Sequence, residues 1–287
     1  MIKLQLRVVR ELTLNFCCSY SLMGSSGCGK TTLISSLVGL KKLDSGKIKI
    51  FGESFEKPQN YRIGFMPQEI ALIGGFAIKE MFWFFGTIFG IKAEKIEENF
   101  RMLSTLLELP EGKRLIKNCS GGQQRRISFA ITLVHDPDLL ILDEPTVGVD
   151  PLLRERIWNY LVELTQTKNV TILLSTHYIE EAKQSNLIGL MRNGVLIAEG
   201  TPQNIMEACD TTNMEEAFLH LSQRQEIGSG SDNSFLNDVE PQCFECEPST
   251  SQSETEFKYH AENKQTGLKI MSALITKHYM EIARNFR

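Results

Sequence analysis

Two uninterrupted apolar runs, "LLILDE" (139–144) and "VTILLSTH" (170–177), stand out along the first 222 positions. Neither alternates with polar residues, so each predicts a strand buried on both faces, as in a parallel sheet covered by helices on each side. "LIGLMRNGVLIAEG" sets Asn193-Gly194 between two apolar stretches, which predicts two antiparallel strands joined by a tight turn. Between about 76 and 135 helical spacing dominates, with Ile127, Ala130, Ile131 and Val134 on one face. Alternation of short strands and helices predicts an α/β domain over 1–222, with a helical subdomain inserted at about 76–135.

The pattern changes at about residue 223. From Gln225 to Lys264 nine Asp or Glu stand against two Lys, with many Ser and Thr and few large apolar side chains. That composition cannot bury enough surface to fold, and 223–266 reads as a disordered acidic linker. Within it Cys243 and Cys246 have metal-ligand spacing but no second pair, and His260 is alone, short of the four ligands that a tetrahedral zinc needs. Helical spacing returns over 267–287, where Leu268, Met271, Ile275, Tyr279, Ile282 and Phe286 share a stripe and Lys269, Lys277, Arg284 and Arg287 add positive charge. A helix docked on the main domain and an amphipathic segment at a membrane surface both fit it. "MFWFFGTIFGI" (81–91) is the longest apolar run, too short to cross a bilayer, and reads as a buried or interfacial helix.

Composition narrows the function classes. The chain of 287 residues is 42% apolar and 23% charged with a net charge of −4, which suits a soluble globular protein and gives no bulk attraction to nucleic acid. Its seven cysteines lack secretory spacing, which points to a reducing compartment.

The chemistry sits at the ends of the predicted strands. Gly24-Ser25-Ser26-Gly27-Cys28-Gly29-Lys30-Thr31 fits G-x-x-x-x-G-K-[ST], a loop whose backbone N–H groups surround phosphates at the start of a helix that continues through Thr32. Lys30 would reach the β and γ phosphates, and the Thr31 hydroxyl would ligate Mg²⁺. Asp143 ends a buried strand, where it would hold Mg²⁺ directly or through water, and Glu144 would polarise a water for attack on the γ-phosphate. His177 ends the next buried strand, beside the γ-phosphate, and Gln68 follows a short apolar strand and a proline. Ser120-Gly121-Gly122-Gln123 reads as a capping box. Two glycines cost such a helix stability, so they suggest an anion close by; since the Lys30 loop already surrounds one nucleotide, the second cradle should serve a nucleotide held by another subunit.

Together these residues resemble the ATP-binding cassette (ABC) ATPases, over 20 to about 210 and in that family's order. The matching parts are the Walker A loop (24–31), the Q-loop glutamine Gln68, the signature (119–123), Walker B (139–144), a D-loop at Val149-Asp150-Pro151 and the switch histidine His177. "MPQEIAL", "CSGGQQRRISFA", "LDEPTVGVDP" and "STHYIEEA" are most similar to the G/H group of eukaryotic half-transporters, the arthropod H type in particular. The resemblance implies a P-loop NTPase fold with a mixed, mainly parallel sheet and a small antiparallel part. It implies ATP and Mg²⁺ as cofactors, with Gln68 as a third magnesium ligand and Asp150 near the nucleotide. It also implies two cassettes closing head to tail on ATP, so that Ser120, Gly121, Gly122 and Gln123 of one face the γ-phosphate held by the other. A membrane-spanning domain outside this chain would be the partner, the location would be the cytoplasmic face of a membrane, and 267–287 would be the connecting helix before that domain.

Three departures qualify the resemblance. Cys119 stands where leucine is commoner. The segment "MIKLQLRVVRELTL" offers no aromatic to stack on adenine, and Phe16 and Tyr20 fall too near the loop, so weak adenine stacking is expected. The membrane domain is absent from this sequence. An ATPase module of an exporter is the leading expectation, and a non-catalytic short form that occupies a partner cassette is the alternative. A soluble ribosomal or DNA-repair ATPase fits poorly, since one cassette is present and no coiled coil separates Lys30 from Ser120.

Overall fold

The computed structural model describes residues 18–45, 48–51, 53–54 and 62–228. Six strands form the main sheet, in the order β4 (Ile63–Met66), β5 (Leu139–Asp143), β6 (Thr171–Thr176), β1 (Ser19–Met23), β7 (Leu187–Arg192) and β8 (Val195–Gly200). The first five run parallel and β8 pairs antiparallel with β7. A short antiparallel pair, β2 (Lys49–Ile50) and β3 (Glu53–Ser54), lies apart from it.

The runs without alternation form the centre, as their composition dictates. Leu139 and Ile141 of β5 join Tyr20, Leu22 and Ile34 on the side of helix α1 (Lys30–Leu37), whereas Leu140 and Leu142 join Ile127, Leu153 and Trp158 on the opposite face. Each such side chain removed from water contributes about 1.5–3 kcal/mol, so successive residues anchor the strand from both sides. Asn193 (φ 48°) and Gly194 (φ 78°) both take the left-handed conformation between β7 and β8, which is the type I′ turn that their identity predicts. The Gly194 N–H donates to the Cys28 carbonyl at 2.8 Å, tying this turn to the loop after β1.

Helices α2 (Ile78–Ile88), α3 (Ala93–Leu106) and α4 (Gly121–Thr132) lie between β4 and β5. The apolar run at 81–91 is used inside this group. Met81 and Phe82 are fully buried, Phe82 meets Phe100 edge-on at 5.0 Å, and Phe76 meets Phe84 at 5.5 Å. It is therefore internal packing rather than an exposed apolar surface. No helix among the described residues is long and apolar enough to cross a membrane.

The remaining helices are α5 (Pro151–Thr167), α6 (Ile179–Ala182), α7 (Pro202–Ala208) and α8 (Met214–Gly228). Helix α8 runs past the expected boundary at 222. Met214 and Ala217 bury against Ile205 and Cys209, and Glu215 and Glu216 sit in its first turn, where the helix dipole favours negative charge. The fall in apolar content at 223 therefore lies inside a helix that continues to Gly228. The rest of the expected linker, the basic stripe at 267–287, Cys243, Cys246, His260 and Phe16 lie outside the described residues.

His135 closes the end of the helical group. Its ring stacks on Phe89 at 3.9 Å and its Nε2 meets the Ile63 carbonyl at 3.2 Å. Burial pushes its pKa below the ordinary value, against the opposing pull of that carbonyl and of Asp136. Protonation therefore favours the unfolded chain. Stability should be whole above the unfolded value of about 6.5 and decline as pH falls through it. Melting curves at pH 7.5 and 5.5 should show a larger loss for the wild type than for His135→Gln, which has no such proton to take up.

Candidate active site

Four parallel neighbours end at one edge of the sheet, and the segments that follow them carry the expected chemistry. Ligands of such sheets bind outside the carboxyl ends of the strands. The loop at 24–29 leaves β1, Gln68 follows β4, Glu144 follows β5 and His177 follows β6.

In the loop, Gly27 (φ 78°) and Gly29 (φ 109°) adopt backbone conformations that side chains resist, and these turn the chain back on itself before α1. Ser25, Ser26 and Gly27 are exposed, Cys28 is buried, and Thr32 is half-buried in the first turn of α1. Lys30 is only 5% exposed, and its ammonium donates to the carbonyls of Gly24 at 2.8 Å and Ser25 at 3.1 Å. The lysine thus lies across its own loop.

From Thr31 a string of side chains crosses the sheet edge. The Thr31 hydroxyl donates to Gln68 Oε1 at 3.3 Å, Gln68 Nε2 donates to Glu144 Oε2 at 3.5 Å, and His177 Nδ1 lies 3.4 Å from Glu144 Oε1. Side chains from four separate segments are thereby linked, and two of them, Gln68 and His177, contact one carboxylate directly.

Beneath it Asp143 is 1% exposed, with Oδ1 accepting from the Ser175 hydroxyl at 2.5 Å. Its Oδ2 is buried and accepts no hydrogen bond. A carboxylate oxygen held without a donor in so dry a place fits a cation. The Thr31 hydroxyl and the Gln68 side-chain carbonyl, bonded to each other, are likewise hard oxygen donors, the type that suits Mg²⁺, an ion that keeps part of its shell for water and phosphate. Among the described residues no cluster of three or more His, Cys, Asp or Glu competes with this arrangement.

Glu144 is itself under constraint, since it takes φ 52°, an uncommon conformation for a residue with a side chain. Its N–H donates to the Ser175 hydroxyl at 3.0 Å and to the Ser175 carbonyl at 3.2 Å. Its own carbonyl accepts from Arg125 Nη2 at 2.7 Å.

The second cradle lies elsewhere. Ser120 Oγ accepts from the Gln123 N–H at 3.3 Å and Gln123 Oε1 accepts from the Ser120 N–H at 3.0 Å, completing the capping box of α4. Among the described residues no hydrogen bond or ion pair joins 120–123 to the 24–31 loop. The two glycines differ in purpose. A Cβ on Gly121 would meet open space, whereas one on Gly122 would come 2.8 Å from the Gly148 carbonyl, so Gly122 is also needed for contact within the chain. Asp150, expected near the nucleotide, is engaged as the N-cap of α5, its carboxylate accepting from the Leu153 N–H at 3.0 Å.

Three residues that the sequence pattern did not single out hold this edge together. Ser175 faces Asp143 across the β5–β6 ladder, and a hydroxyl in a strand buried on both faces is a signal that it has a partner. Buried Glu181 accepts from Thr146 at 2.5 Å and Thr176 at 2.6 Å, linking the segment before Asp150 to the strand that ends at His177. Arg125 is the third. It belongs to a second buried stripe of α4, with Ser128, Phe129 and Thr132, beside the apolar face that the spacing revealed.

Residues 11–147 match the family model described as ABC transporter. ABC transporter G family member 23 of Dictyostelium discoideum is 37% identical over 227 residues, covering 77% of this chain and 32% of that protein. Nod factor export ATP-binding protein I of Burkholderia thailandensis is 33% identical over 241 residues, covering 77% of this chain and 78% of that one. The chain spans about a third of the length of the first curated relatives that it matches, 32% and 29% of two G family members. Among solved structures, an ATP-binding subunit of an ABC transporter shares the fold at a TM-score of 0.69 and 23% identity, covering 74% of this chain and 90% of that one. A dimeric ATP-binding cassette in a post-hydrolysis state, bound to ADP and Pi, aligns at a TM-score of 0.61 and 25% identity, covering 66% and 88%.

Proposed function

The chain belongs to the ABC transporter family, and from that membership we propose that it is an ATP-binding and ATP-hydrolysing cassette that powers transport through a membrane domain outside this chain. The observation that carries this reading is the convergence on Glu144. Gln68 and His177 both contact its carboxylate, while Asp143 ends β5 and Lys30 opens the helix that follows β1, two strands away in the same sheet.

In this reading the backbone N–H groups of 24–31 and the dipole of α1 hold the phosphates, and Lys30 turns from the Gly24 and Ser25 carbonyls to the β and γ oxygens. Thr31, Gln68 and Asp143 would hold Mg²⁺, which when bound supplies positive charge against the charge that develops on the phosphate oxygens. Glu144 accepts a hydrogen bond from the attacking water and orients it in line with the γ-phosphate. His177, beside both, donates to the γ-phosphate oxygens. Such chemistry depends on positioning and electrostatics more than on covalent participation.

The glycine-capped N-terminus of α4 would close the same pocket in a second copy or a related cassette. Pairing of two copies is supported by the dimeric ATP-binding cassette to which this chain is similar, and the outward role of 120–123 by the open space beside Gly121. Export is the direction that the Nod factor relatives suggest. A site at the cytoplasmic face of a membrane follows from the same reading.

The test is phosphate release by the purified chain with Mg²⁺ and ATP. Glu144→Gln keeps the size of the side chain and one acceptor oxygen while removing its charge. It should lower kcat by at least about 100-fold and leave ATP binding intact. Equal rates in variant and wild type would remove the enzymatic claim and leave a binding module.

A further inference from the structure

Arg125 is a buried cation that the proposed chemistry does not use. It is 5% exposed, and all of its terminal N–H groups are engaged. Nη1 donates to the carbonyls of Pro67 at 2.9 Å and Gln68 at 2.6 Å. Nη2 donates to the carbonyls of Asp143 at 2.5 Å and Glu144 at 2.7 Å. Every acceptor is main chain, and the four belong to two segments that are far apart in sequence.

The location explains the need. β4 and β5 are paired up to Met66↔Leu142, and beyond that register the ladder stops. The next carbonyls on both strands would be left without ladder partners, that of Asp143 buried and those of Pro67, Gln68 and Glu144 partly buried, which costs free energy unless a donor is supplied. The guanidinium fork takes the place of the missing ladder. It has the rigid planar geometry to grip two pairs of acceptors at once, which an ammonium lacks. It also holds the carbonyl side of Glu144 while Ser175 holds the N–H side, so that the left-handed backbone at Glu144 is pinned at both ends.

We infer that Arg125 is a positioning residue for the hydrolysis proposed above, its guanidinium fixing the spacing between the loop that carries Gln68 and the loop that carries Glu144. The inference rests on the functional reading of that site for its consequence in turnover, but the clamp itself is a property of the fold. Because Arg125 stands in the first two turns of α4, the same contact ties the position of that helix, and of Ser120 at its start, to the two loops. Adjacent Arg126 offers an internal control. It donates to the carbonyls of Leu107 and Glu108 at the end of α3, both at 2.9 Å, and touches neither loop.

The experiment uses the full chain with Arg125→Met, Arg125→Lys and Arg126→Met. Hydrogen exchange is read by mass spectrometry on peptides covering 66–70, 143–147 and the strands of the sheet. Arg125→Met should raise exchange about 10-fold or more in both loop peptides while leaving the β5 and β6 strands as in the wild type. Arg125→Lys, able to reach one pair of carbonyls, should raise it in one loop only, which keeps the test decisive if the methionine variant does not fold. Arg126→Met should leave both loops unchanged. Unchanged exchange at both loops in the Arg125 variants, or a uniform rise across the sheet, would overturn the clamp.

Phosphate release supplies the second readout. kcat should fall about 100-fold in Arg125→Lys with KM for ATP within about twofold, as expected for misplaced rather than absent catalytic groups. A full rate in Arg125→Lys would show that charge rather than the fork matters, and would overturn the positioning role. A wild-type chain that releases no phosphate would refute the functional reading, while the exchange data would still decide on the clamp.

Discussion

A Gly121→Asp chain is expected to hydrolyse ATP at least about 100-fold more slowly than the wild type while melting no earlier. The two halves of that expectation have separate causes. A side chain at Gly121 meets open space, and an aspartate in the first turn of α4 is favoured by the helix dipole, so the folded state loses nothing. The same carboxylate would stand where the second cassette's γ-phosphate is proposed to lie, and two anions there repel. A defect confined to the chain's own phosphate loop makes the complementary variant. Lys30→Met leaves 120–123 untouched. Each variant alone assembles only defective sites, but a mixed pair contains one site built from an intact Lys30 loop and an intact Gly121. An equal mixture should therefore recover about a quarter of wild-type turnover, since half of the pairs are mixed and half of their sites are whole in a symmetric dimer. Phosphate release measured against mixing ratio checks this. Full activity in Gly121→Asp, or no recovery when subunits demonstrably exchange, would sink the proposal that one copy completes the pocket of another.

The second large effect concerns affinity. Lys30→Met is expected to weaken ATP binding by about 10- to 100-fold, the worth of a charge-assisted contact of about 1.5–3 kcal/mol. The ligand-free protein should change less, because removing the ammonium also removes its desolvation cost on burial, which offsets part of the two carbonyl hydrogen bonds that are lost. Lys30 is buried and bonded within its own loop, to the Gly24 and Ser25 carbonyls and to Cys28 Sγ. Thermal melts with and without ATP separate the two terms. At a concentration about 100 times the wild-type Kd, ATP should stabilise the wild type by about 2.7 kcal/mol and the variant by no more than about 1.4 kcal/mol. An equal shift in both would mean that Lys30 never leaves its carbonyls for the phosphates.

How far the sequence reveals this molecule depends on how local each determinant is. The strands around Leu140 and Leu173, the hairpin at Asn193-Gly194 and the capping box at Ser120 were legible because their signals span a few consecutive positions and have one physical reading. The glycines of the phosphate loop were legible for the same reason. Arg125, Ser175 and Glu181 were not, because each acts through partners brought near by strand order. Arg125 reaches Pro67, 58 positions away, and Glu181 reaches Thr146, 35 positions away, and neither distance leaves a period in the chain. Gly122 shows an intermediate case. Its position beside a helix start suggested an approaching anion, while its contact with Gly148 supplies a reason within the fold that no local pattern encodes. Helix α8 shows that composition and backbone need not change together, since the shift at 223 falls within a helix that continues to Gly228.

The hydrogen bond from Gly194 to the Cys28 carbonyl has a consequence for the newborn protein. The turn that braces the phosphate loop is encoded long after the loop itself. A ribosome adding about 5–20 residues per second needs roughly 10–30 s to travel from one to the other. Until then the loop lacks this brace, so whatever shape it takes in the emerging chain is held without the Gly194 hydrogen bond.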